Sequence, residues 1–118
     1  LQVGQSVGYG ATFTATENCF IGTLPIGYAD GMIRKLGGQT VLVNGERCPI
    51  VGRICMDQCM VDLGFNNTEV KRWDKVIIYG PKDNEALQDA NDIATMTNTI
   101  PYEIMTSICA KRVQKYFI

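Results

Sequence analysis

The sequence predicts a mainly β fold: a small antiparallel β-barrel or a strongly curved sheet with one or two short helices. Three observations support this prediction. Stretches rich in threonine, valine, isoleucine and aromatic residues, which favour strands, recur as far as Gly80. Glycine, asparagine and proline, which favour turns, separate these stretches. Apolar residues with helical spacing form only short segments, chiefly after Gly80.

Two strands are expected in the first part of the chain. Val7–Thr16 mixes threonines and aromatic residues with glycines. Cys19–Ile26 is largely apolar, and Pro25 near its end indicates a sheet edge or a bend. The apolar residues of Gly31–Gly38 have helical spacing, which predicts one short helical turn there.

The clearest local signal is a β-hairpin. Thr40–Val43 and Glu46–Val51 are rich in strand-forming residues, and Asn44-Gly45 joins them. A two-residue hairpin turn needs positive φ at both central positions, which asparagine and glycine tolerate.

Two further strands are expected after the hairpin. Ile54–Leu63 is a strand that is buried on both faces where its apolar–polar alternation breaks down. Gly64–Thr68 is a loop, and Trp73–Tyr79 is another strand, which Gly80-Pro81 ends.

Helices are expected only after these strands. Ala86–Met96 has roughly helical spacing of apolar residues, with Asn84 as its cap. Pro101 is expected to begin a short helical turn through Met105, and Lys111–Ile118 to form a final strand.

Length and composition indicate one globular domain. The chain has 118 residues, which is long enough for one hydrophobic core. Of these residues 46% are hydrophobic and 19% charged, an ordinary globular composition. Its formal net charge of −1 gives no electrostatic argument for binding nucleic acid or a membrane surface. No apolar run is long enough for a spanning helix, and no secretory signal is visible. Because the chain begins at Leu1 rather than methionine, we interpret it as part of a longer protein. We expect that protein to be cytoplasmic.

Five cysteines and no histidine limit the chemistry. An odd number of scattered cysteines argues against a disulfide framework. Cys48, Cys55 and Cys59 lack the spacing of a zinc site, and no histidine can complete one, so no metal is expected. We interpret the cysteines as small buried hydrophobic residues in a reducing compartment. Because the chain contains no histidine, any general acid or base that it supplies is a Tyr, Cys, Asp, Glu or Lys.

Three segments carry patterns that core packing does not explain. Val7–Thr12 and Pro25–Gly31 each place a tyrosine beside glycine, and Val51–Gln58 contains Cys-Met-Asp within an apolar stretch. A core requires only hydrophobic residues of suitable size, whereas glycine lets the backbone approach a ligand closely. These segments are therefore candidates for a functional site.

These segments, with Tyr102-Glu103-Ile104, resemble a known family. Val-Gly-Tyr-Gly-Ala-Thr, Pro-Ile-Gly-Tyr-Ala-Asp-Gly, Gly-Arg-Ile-Cys-Met-Asp-Gln and Tyr-Glu-Ile have the order and spacing of the C-terminal β domain of alanine racemases, fold-type III enzymes that use pyridoxal phosphate. The resemblance covers nearly all of residues 1–118. It implies that an N-terminal barrel domain, which binds the cofactor covalently, belongs to the same protein but is absent from this chain.

The resemblance implies an enzyme that interconverts L- and D-alanine, and thus supplies D-alanine as a peptidoglycan precursor. Racemisation removes the α-proton from one face of the substrate and returns a proton to the other, so two bases are needed. In the family one base is the cofactor lysine of the barrel domain, and the other is a tyrosine that matches Tyr9 and serves the partner subunit. A free tyrosine has a pKa of roughly 10, and the resemblance implies that an arginine and the cofactor of the other domain provide the cationic surroundings that Tyr9 needs.

The resemblance assigns four further residues. Tyr28 and Asp57 match residues that line the substrate entrance. Met56 matches the position whose backbone N–H binds the substrate carboxylate, a role largely independent of its side chain. Tyr102 matches a tyrosine whose hydroxyl donates to the cofactor phosphate in the site of its own chain. Because Tyr9 would serve the partner, the resemblance implies a functional homodimer.

Other interpretations stay open. Serine racemases end in a similar domain, although Tyr102 favours alanine. Alternatively, the domain is a non-catalytic binding module or a dimerisation domain with decayed site residues. The presence of Tyr9, Tyr28, Met56 and Tyr102 argues against such decay. No basic stripe or array of aromatic residues indicates nucleic-acid binding. Because the sequence contains no assignable cofactor lysine, the isolated chain is expected to be inactive and to bind pyridoxal phosphate weakly.

Overall fold

The structure, a computed structural model, describes residues 1–7, 9–11, 13–32, 39–64, 69–80, 88–108 and 114. Within these residues the strands are β1 Ser6–Val7, β2 Phe13–Thr14, β3 Phe20–Leu24, β4 Thr40–Val43, β5 Glu46–Val51, β6 Cys59–Gly64 and β7 Val76–Ile77. The α-helices are α1 Ala90–Thr97 and α2 Pro101–Thr106, and short 3₁₀ turns lie at Tyr9–Ala11 and Tyr28–Asp30.

Strands β3 to β7 form a curled antiparallel sheet in the order β3-β6-β5-β4-β7. Strand β6 lies between β3 and β5, and its Val61 is opposite Gly22 on one side and Ile50 on the other. Strands β1 and β2 form a separate two-stranded sheet. The predicted mainly β fold, with a strongly curved antiparallel sheet and two short helices, is confirmed.

A hydrophobic core packs against one face of the large sheet. Its members occur at alternate positions of β4, β5 and β6, which places them on the same face of each strand. The buried residues are Leu24, Met32, Val41, Val43, Cys48, Ile50, Ile54, Cys59 and Val61. A smaller cluster joins the helices through Ile93, Ala94 and Ile104.

Gln88 connects the helical part to the sheet. Its side chain is fully buried, and its Nε2 donates to the carbonyl oxygens of Thr40 at 2.8 Å and Ile78 at 2.6 Å. Its Oε1 accepts from the Thr40 hydroxyl at 2.8 Å. Because a buried amide is costly unless its hydrogen bonds are made, these contacts fix the start of α1 beside β4.

The hairpin prediction is confirmed. Strands β4 and β5 are antiparallel neighbours, and Asn44 and Gly45 have φ of 51° and 80°, as a two-residue hairpin turn requires. The strand predicted at Cys19–Ile26 is also present, over Phe20–Leu24.

The prediction of a single strand over Val7–Thr16 is wrong. The chain turns back at Tyr9–Ala11, where Gly10 and Ala11 have φ of 75° and 49°. These positive values reverse the chain, so β1 and β2 pair with each other as two short arms.

Two other strands are shorter than predicted. The chain leaves the sheet at Gly52, which has φ of 72°, and β6 begins only at Cys59 rather than at Ile54. Strand β7 is restricted to Val76–Ile77 because the chain turns at Trp73, whose φ is 75°.

The two helices differ in how well they were predicted. Helix α2 begins at Pro101, as predicted. Helix α1 begins later than predicted, and its cap is Asp89 rather than Asn84. The Asp89 carboxylate accepts the N–H of Asp92 at 3.0 Å, and the Asp92 carboxylate accepts the N–H of Asp89 at 2.9 Å, which satisfies two amides at the start of the helix.

Some predictions concern residues outside the described part of the chain. These are the helical turn beyond Met32, the loop beyond Gly64, the residues Asn84 and Ala86, and the final strand apart from Gln114. Among the described helices, none combines the length and apolar character needed to cross a membrane.

Candidate active site

A short turn after β3 carries Tyr28. Residues Tyr28–Asp30 form one 3₁₀ turn. The buried Asp30 carboxylate accepts the N–H of Gly27 at 2.9 Å, and the N–H of Asp30 donates to the Gly27 carbonyl at 3.1 Å. Gly31 ends the turn with φ of 114°, a conformation that favours glycine. Asp30 therefore binds both the N–H and the carbonyl of Gly27, and these two contacts close the turn.

The Tyr28 turn lies directly against the loop of residues 55–58. The N–H of Tyr28 donates to the Cys55 carbonyl at 3.0 Å, and the N–H of Ala29 donates to the Met56 carbonyl at 2.9 Å. Two predicted site segments that are distant in the sequence are thus joined by consecutive backbone hydrogen bonds.

The contact between these segments depends on Gly27. A Cβ at this position would lie 2.2 Å from the Cys55 carbonyl oxygen and 2.6 Å from the Asp57 nitrogen. Both neighbours are backbone atoms, which cannot yield as the end of a flexible side chain can. The glycine before Tyr28 is therefore required by the approach of two backbone segments.

The N–H of Met56 points away from the Tyr28 turn. It belongs to the same peptide group as the Cys55 carbonyl, and the two groups of a planar trans peptide point in opposite directions. Because the carbonyl points at Tyr28, the N–H points away from the turn. It has no hydrogen-bond acceptor within the described residues, and Met56 is 56% exposed.

Tyr28, in the 3₁₀ turn, and Asp57, in the loop of residues 55–58, both have exposed side chains. Tyr28 is 42% exposed, and Asp57 is also exposed. The arrangement thus offers a backbone N–H that has no acceptor among the described residues, which suits an anion, between the segments that carry Tyr28 and Asp57.

Tyr102 lies in the first turn of α2 and is 73% exposed. The other end of this helix is attached to the Tyr28 turn. The Ser107 hydroxyl donates to the Gly31 carbonyl at 3.0 Å, and a Cβ on Gly31 would lie 2.6 Å from the Ser107 carbonyl oxygen. The helix that carries Tyr102 is therefore anchored to the same turn as the loop of residues 55–58.

Tyr9 lies in the 3₁₀ turn between β1 and β2. Its backbone is described, but its side chain and the neighbouring Gly8 lie outside the described part of the structure. The structure thus joins the segments of Tyr28, Met56, Asp57 and Tyr102, and it leaves the position of the Tyr9 hydroxyl as a prediction.

A cavity of about 880 Å³ lies apart from most of these residues. Its wall is formed largely by apolar residues of β3, β6 and β7 and by the turn at Trp73. Of the predicted site residues that the structure describes, only Asp57 lines this cavity. The cavity therefore does not define the candidate site.

The described cysteines are free thiols. Cys19, Cys48 and Cys59 are buried, as predicted, whereas Cys55 is half-buried. Burial raises the pKa of Cys59 to about 11. Among the described residues, no group of three or more His, Cys, Asp or Glu side chains is arranged to hold a metal ion.

Three residues that organise the site were not recognised from sequence. Gly27 and Asp30 lie within the candidate segment Pro25–Gly31, but the sequence does not show what they contact. Ser107 was missed because a lone serine near a helix end carries no signal of a contact with Gly31. The hydrogen bonds between Asp30 and Gly27 are local, whereas the approach of Gly27 to Cys55 and the hydrogen bond from Ser107 to Gly31 connect residues far apart in the chain.

Comparison with known proteins gives a consistent result. Residues 1–117 match the family described as alanine racemase, C-terminal domain. The alanine racemase of Treponema denticola is 48% identical over 115 residues, which are 96% of this chain and 30% of that protein.

Solved structures agree with this match. The biosynthetic alanine racemase from Pseudomonas aeruginosa has a TM-score of 0.87 at 36% identity, covering 100% of this chain and 32% of that one. The alanine racemase from Bartonella henselae with covalently bound pyridoxal phosphate has a TM-score of 0.80 at 39% identity, covering 92% of this chain and 29% of that one.

This chain spans about 30% of the length of the curated relatives that it matches. The family match extends over almost every residue, and the fold agrees with it. The chain belongs to the alanine racemase C-terminal domain family.

Proposed function

We propose that this chain acts as the C-terminal domain of a pyridoxal-phosphate-dependent racemase that interconverts L- and D-alanine. The observation that carries the proposal is the N–H of Met56, which the Tyr28 turn directs outward and which has no acceptor among the described residues. The family match to alanine racemase supports the reaction. In this proposal the chain supplies part of the active site, and a barrel domain of the whole protein supplies the rest.

The N–H of Met56 binds the substrate carboxylate. A hydrogen bond from a backbone N–H to a carboxylate is charge-assisted and therefore stronger than one to a neutral oxygen. The contact orients the amino acid so that its α-proton faces the base. Tyr28 and Asp57 flank this position and form the substrate entrance.

Tyr9 is the base on one face of the substrate. Its hydroxyl oxygen removes the α-proton of one enantiomer or returns a proton to form it, and the cofactor lysine of the barrel domain serves the opposite face. Pyridoxal phosphate, when bound, supplies the electron sink that makes the α-proton acidic enough to be removed. Tyr9 serves the partner subunit, so the active form is a homodimer. The proposed location of this homodimer is the cytoplasm.

Tyr102 fits a role in holding the cofactor phosphate. Its side chain is 73% exposed at the start of α2, and a phenol O–H is a suitable donor to a phosphate oxygen. No residue of this chain is assigned to the covalent bond with the cofactor. The relative from Bartonella henselae contains covalently bound pyridoxal phosphate, and in this proposal the corresponding bond belongs to the remainder of the protein.

The Tyr9→Phe variant of the full-length protein tests the proposal. Loss of the hydroxyl removes one base, so racemisation of L-alanine is expected to fall by roughly 10²- to 10⁴-fold, while the absorbance of bound cofactor stays unchanged. Optical rotation or a coupled D-alanine assay measures the rate.

Tyr79→Phe is the matched control. Tyr79 is partly buried against the helical cluster and has no proposed role in the reaction, so this variant should retain activity. Unchanged activity in Tyr9→Phe would contradict the assignment of the base. A full-length protein that racemises L-serine faster than L-alanine would contradict the assignment of the substrate.

A further inference from the structure

We propose that Asp30 is a positioning residue for the substrate-carboxylate site. Its buried carboxylate fixes the Tyr28 turn, and this turn sets the direction of the Met56 N–H. The inference rests on the proposed role of that N–H and adds a residue that does not touch the substrate.

The first step is the contact between Asp30 and Gly27. Asp30 is 5% exposed, and its Oδ2 accepts the Gly27 N–H at 2.9 Å while its own N–H donates to the Gly27 carbonyl at 3.1 Å. Asp30 therefore binds both backbone groups of Gly27, whose carbonyl also accepts the N–H of Met32 at 3.3 Å. A carboxylate acceptor makes a stronger bond to a buried amide than a neutral group does.

The second step is the contact between the turn and the loop of residues 55–58. With Gly27 fixed, the N–H groups of Tyr28 and Ala29 reach the carbonyls of Cys55 and Met56 at 3.0 and 2.9 Å. The loop itself is closed by a hydrogen bond from the N–H of Cys55 to the Gln58 carbonyl at 2.9 Å.

The third step is the rigidity of the peptide between Cys55 and Met56. Because this peptide is planar, fixing its carbonyl on Tyr28 also fixes the direction of its N–H. Met56 is exposed, so packing of its side chain does not hold the peptide in place. If the turn loosens, the peptide can rotate and the N–H no longer points steadily at the carboxylate.

The test compares Asp30→Ala and Asp30→Asn in the full-length protein with its cofactor. Asp30→Ala removes the acceptor, and we expect KM for L-alanine to rise about tenfold, which corresponds to about 1.4 kcal/mol, with a smaller change in kcat. Asp30→Asn keeps an oxygen acceptor and should restore much of the affinity. The inhibition constant of acetate, which offers a carboxylate without an amino group, should rise in parallel with KM.

Asp89→Ala is the matched control. Asp89 also accepts a backbone N–H at the start of a helix, but it lies outside the Tyr28 turn and the loop of residues 55–58. This variant should lower the melting temperature and leave KM and the acetate constant unchanged. A general loss of stability therefore cannot imitate the expected result.

The outcomes separate this inference from the proposed function. If the wild-type protein racemises alanine and Asp30→Ala changes neither KM nor the acetate constant, the positioning role is wrong. If the wild-type protein does not racemise alanine, the proposed function itself fails. Should Asp30→Ala not fold, Asp30→Ser replaces it, because its shorter side chain also weakens the contact with Gly27; an unchanged KM there overturns the inference.

Discussion

Trp73 shows how a single residue can oppose the pattern around it. It is 89% exposed and has φ of 75°, and the Arg72 guanidinium lies 5.2 Å from its ring centroid. Aromatic residues favour strands, which led to the prediction of a strand beginning at Trp73. The turn is instead held by Asp74, whose carboxylate accepts the N–H of Lys71 at 2.8 Å.

Replacing Trp73 by glycine and by alanine isolates the cost of its backbone conformation. Both changes remove the ring and its contact with Arg72, but only alanine keeps a Cβ at positive φ. We therefore expect Trp73→Gly to be more stable than Trp73→Ala by roughly 1 kcal/mol, measured by denaturant unfolding.

Thr95 provides the control for this comparison. It is exposed within α1, where alanine should be more stable than glycine by about 1 kcal/mol. If the same replacement, alanine or glycine, gave the more stable variant at both positions, the role of positive φ at Trp73 would be contradicted.

Cys59 gives a residue-scale prediction about pH. Burial raises the pKa of its thiol to about 11 from an ordinary value of 9.0. The unfolded protein therefore releases this proton at a lower pH than the folded protein, and the contribution of Cys59 to stability is complete below about pH 9 and is lost as pH rises toward 11. We expect alkaline unfolding curves of the wild type to fall more steeply in this range than those of Cys59→Ala.

Alkylation checks the same environment directly. In the folded protein iodoacetamide should modify the half-buried Cys55 well before Cys59, and the difference should vanish in denaturant. Rapid native modification of Cys59 would contradict its burial.

At the scale of elements, the contact between the Tyr28 turn and the loop of residues 55–58 depends on Gly27. Its φ of −143° is accessible to any residue, so alanine there is disfavoured by the contact with Cys55 and not by the backbone conformation. Gly27→Ala should cost roughly 3 kcal/mol or more and reduce racemisation, because the loop has to shift.

Gly22→Ala is the corresponding control. A Cβ at Gly22 would meet side-chain atoms of Leu63 and Val61 at 3.2 and 3.3 Å, and these side chains can yield. We expect a cost of about 1 kcal/mol, measured by thermal unfolding. Equal losses of stability in Gly27→Ala and Gly22→Ala would show that the backbone contact at Gly27 is no more restrictive than the side-chain contacts at Gly22.

The elements differ in how far they could be predicted. The hairpin turn at Asn44-Gly45 and the start of α2 at Pro101 depend on residues within the turn or helix itself, and both predictions are confirmed. The start of β6 at Cys59, the reversal at Tyr9–Ala11 and the cap at Asp89 were missed. The cap depends on the reciprocal hydrogen bonds of Asp89 and Asp92, whereas the late start of β6 follows from the contact of the preceding loop with the distant Tyr28 turn.

At the scale of the whole molecule, the proposed homodimer can be tested by mixing variants. In the proposal Tyr9 serves the partner's site and Tyr102 serves the site of its own chain. A heterodimer of Tyr9→Phe and Tyr102→Ala full-length subunits then has one intact site and one site with both defects. Random pairing of equal amounts should restore about one quarter of wild-type activity, because half of the dimers are mixed.

The purified single variants set the baseline for this experiment. Activity of the mixture that equals the average of the two homodimers would contradict the division of Tyr9 and Tyr102 between two sites. Activity above this average requires exchange of subunits, which differently tagged chains would verify.

The sequence alone determined the mainly β class, the hairpin and the family resemblance. These follow from strand propensity, turn chemistry and the order of short segments, all of which can be evaluated along the chain. It also indicated Tyr28, Met56 and Asp57 as candidate site residues.

Only the tertiary structure decided how those segments meet. The hydrogen bonds from the Tyr28 turn to Cys55 and Met56 and the attachment of α2 through Ser107 connect positions that no local pattern links. They direct the Met56 N–H outward and make Asp30 part of the site's support. The physical reason is that a peptide group's direction is set by what binds its carbonyl, and here that partner comes from another part of the fold.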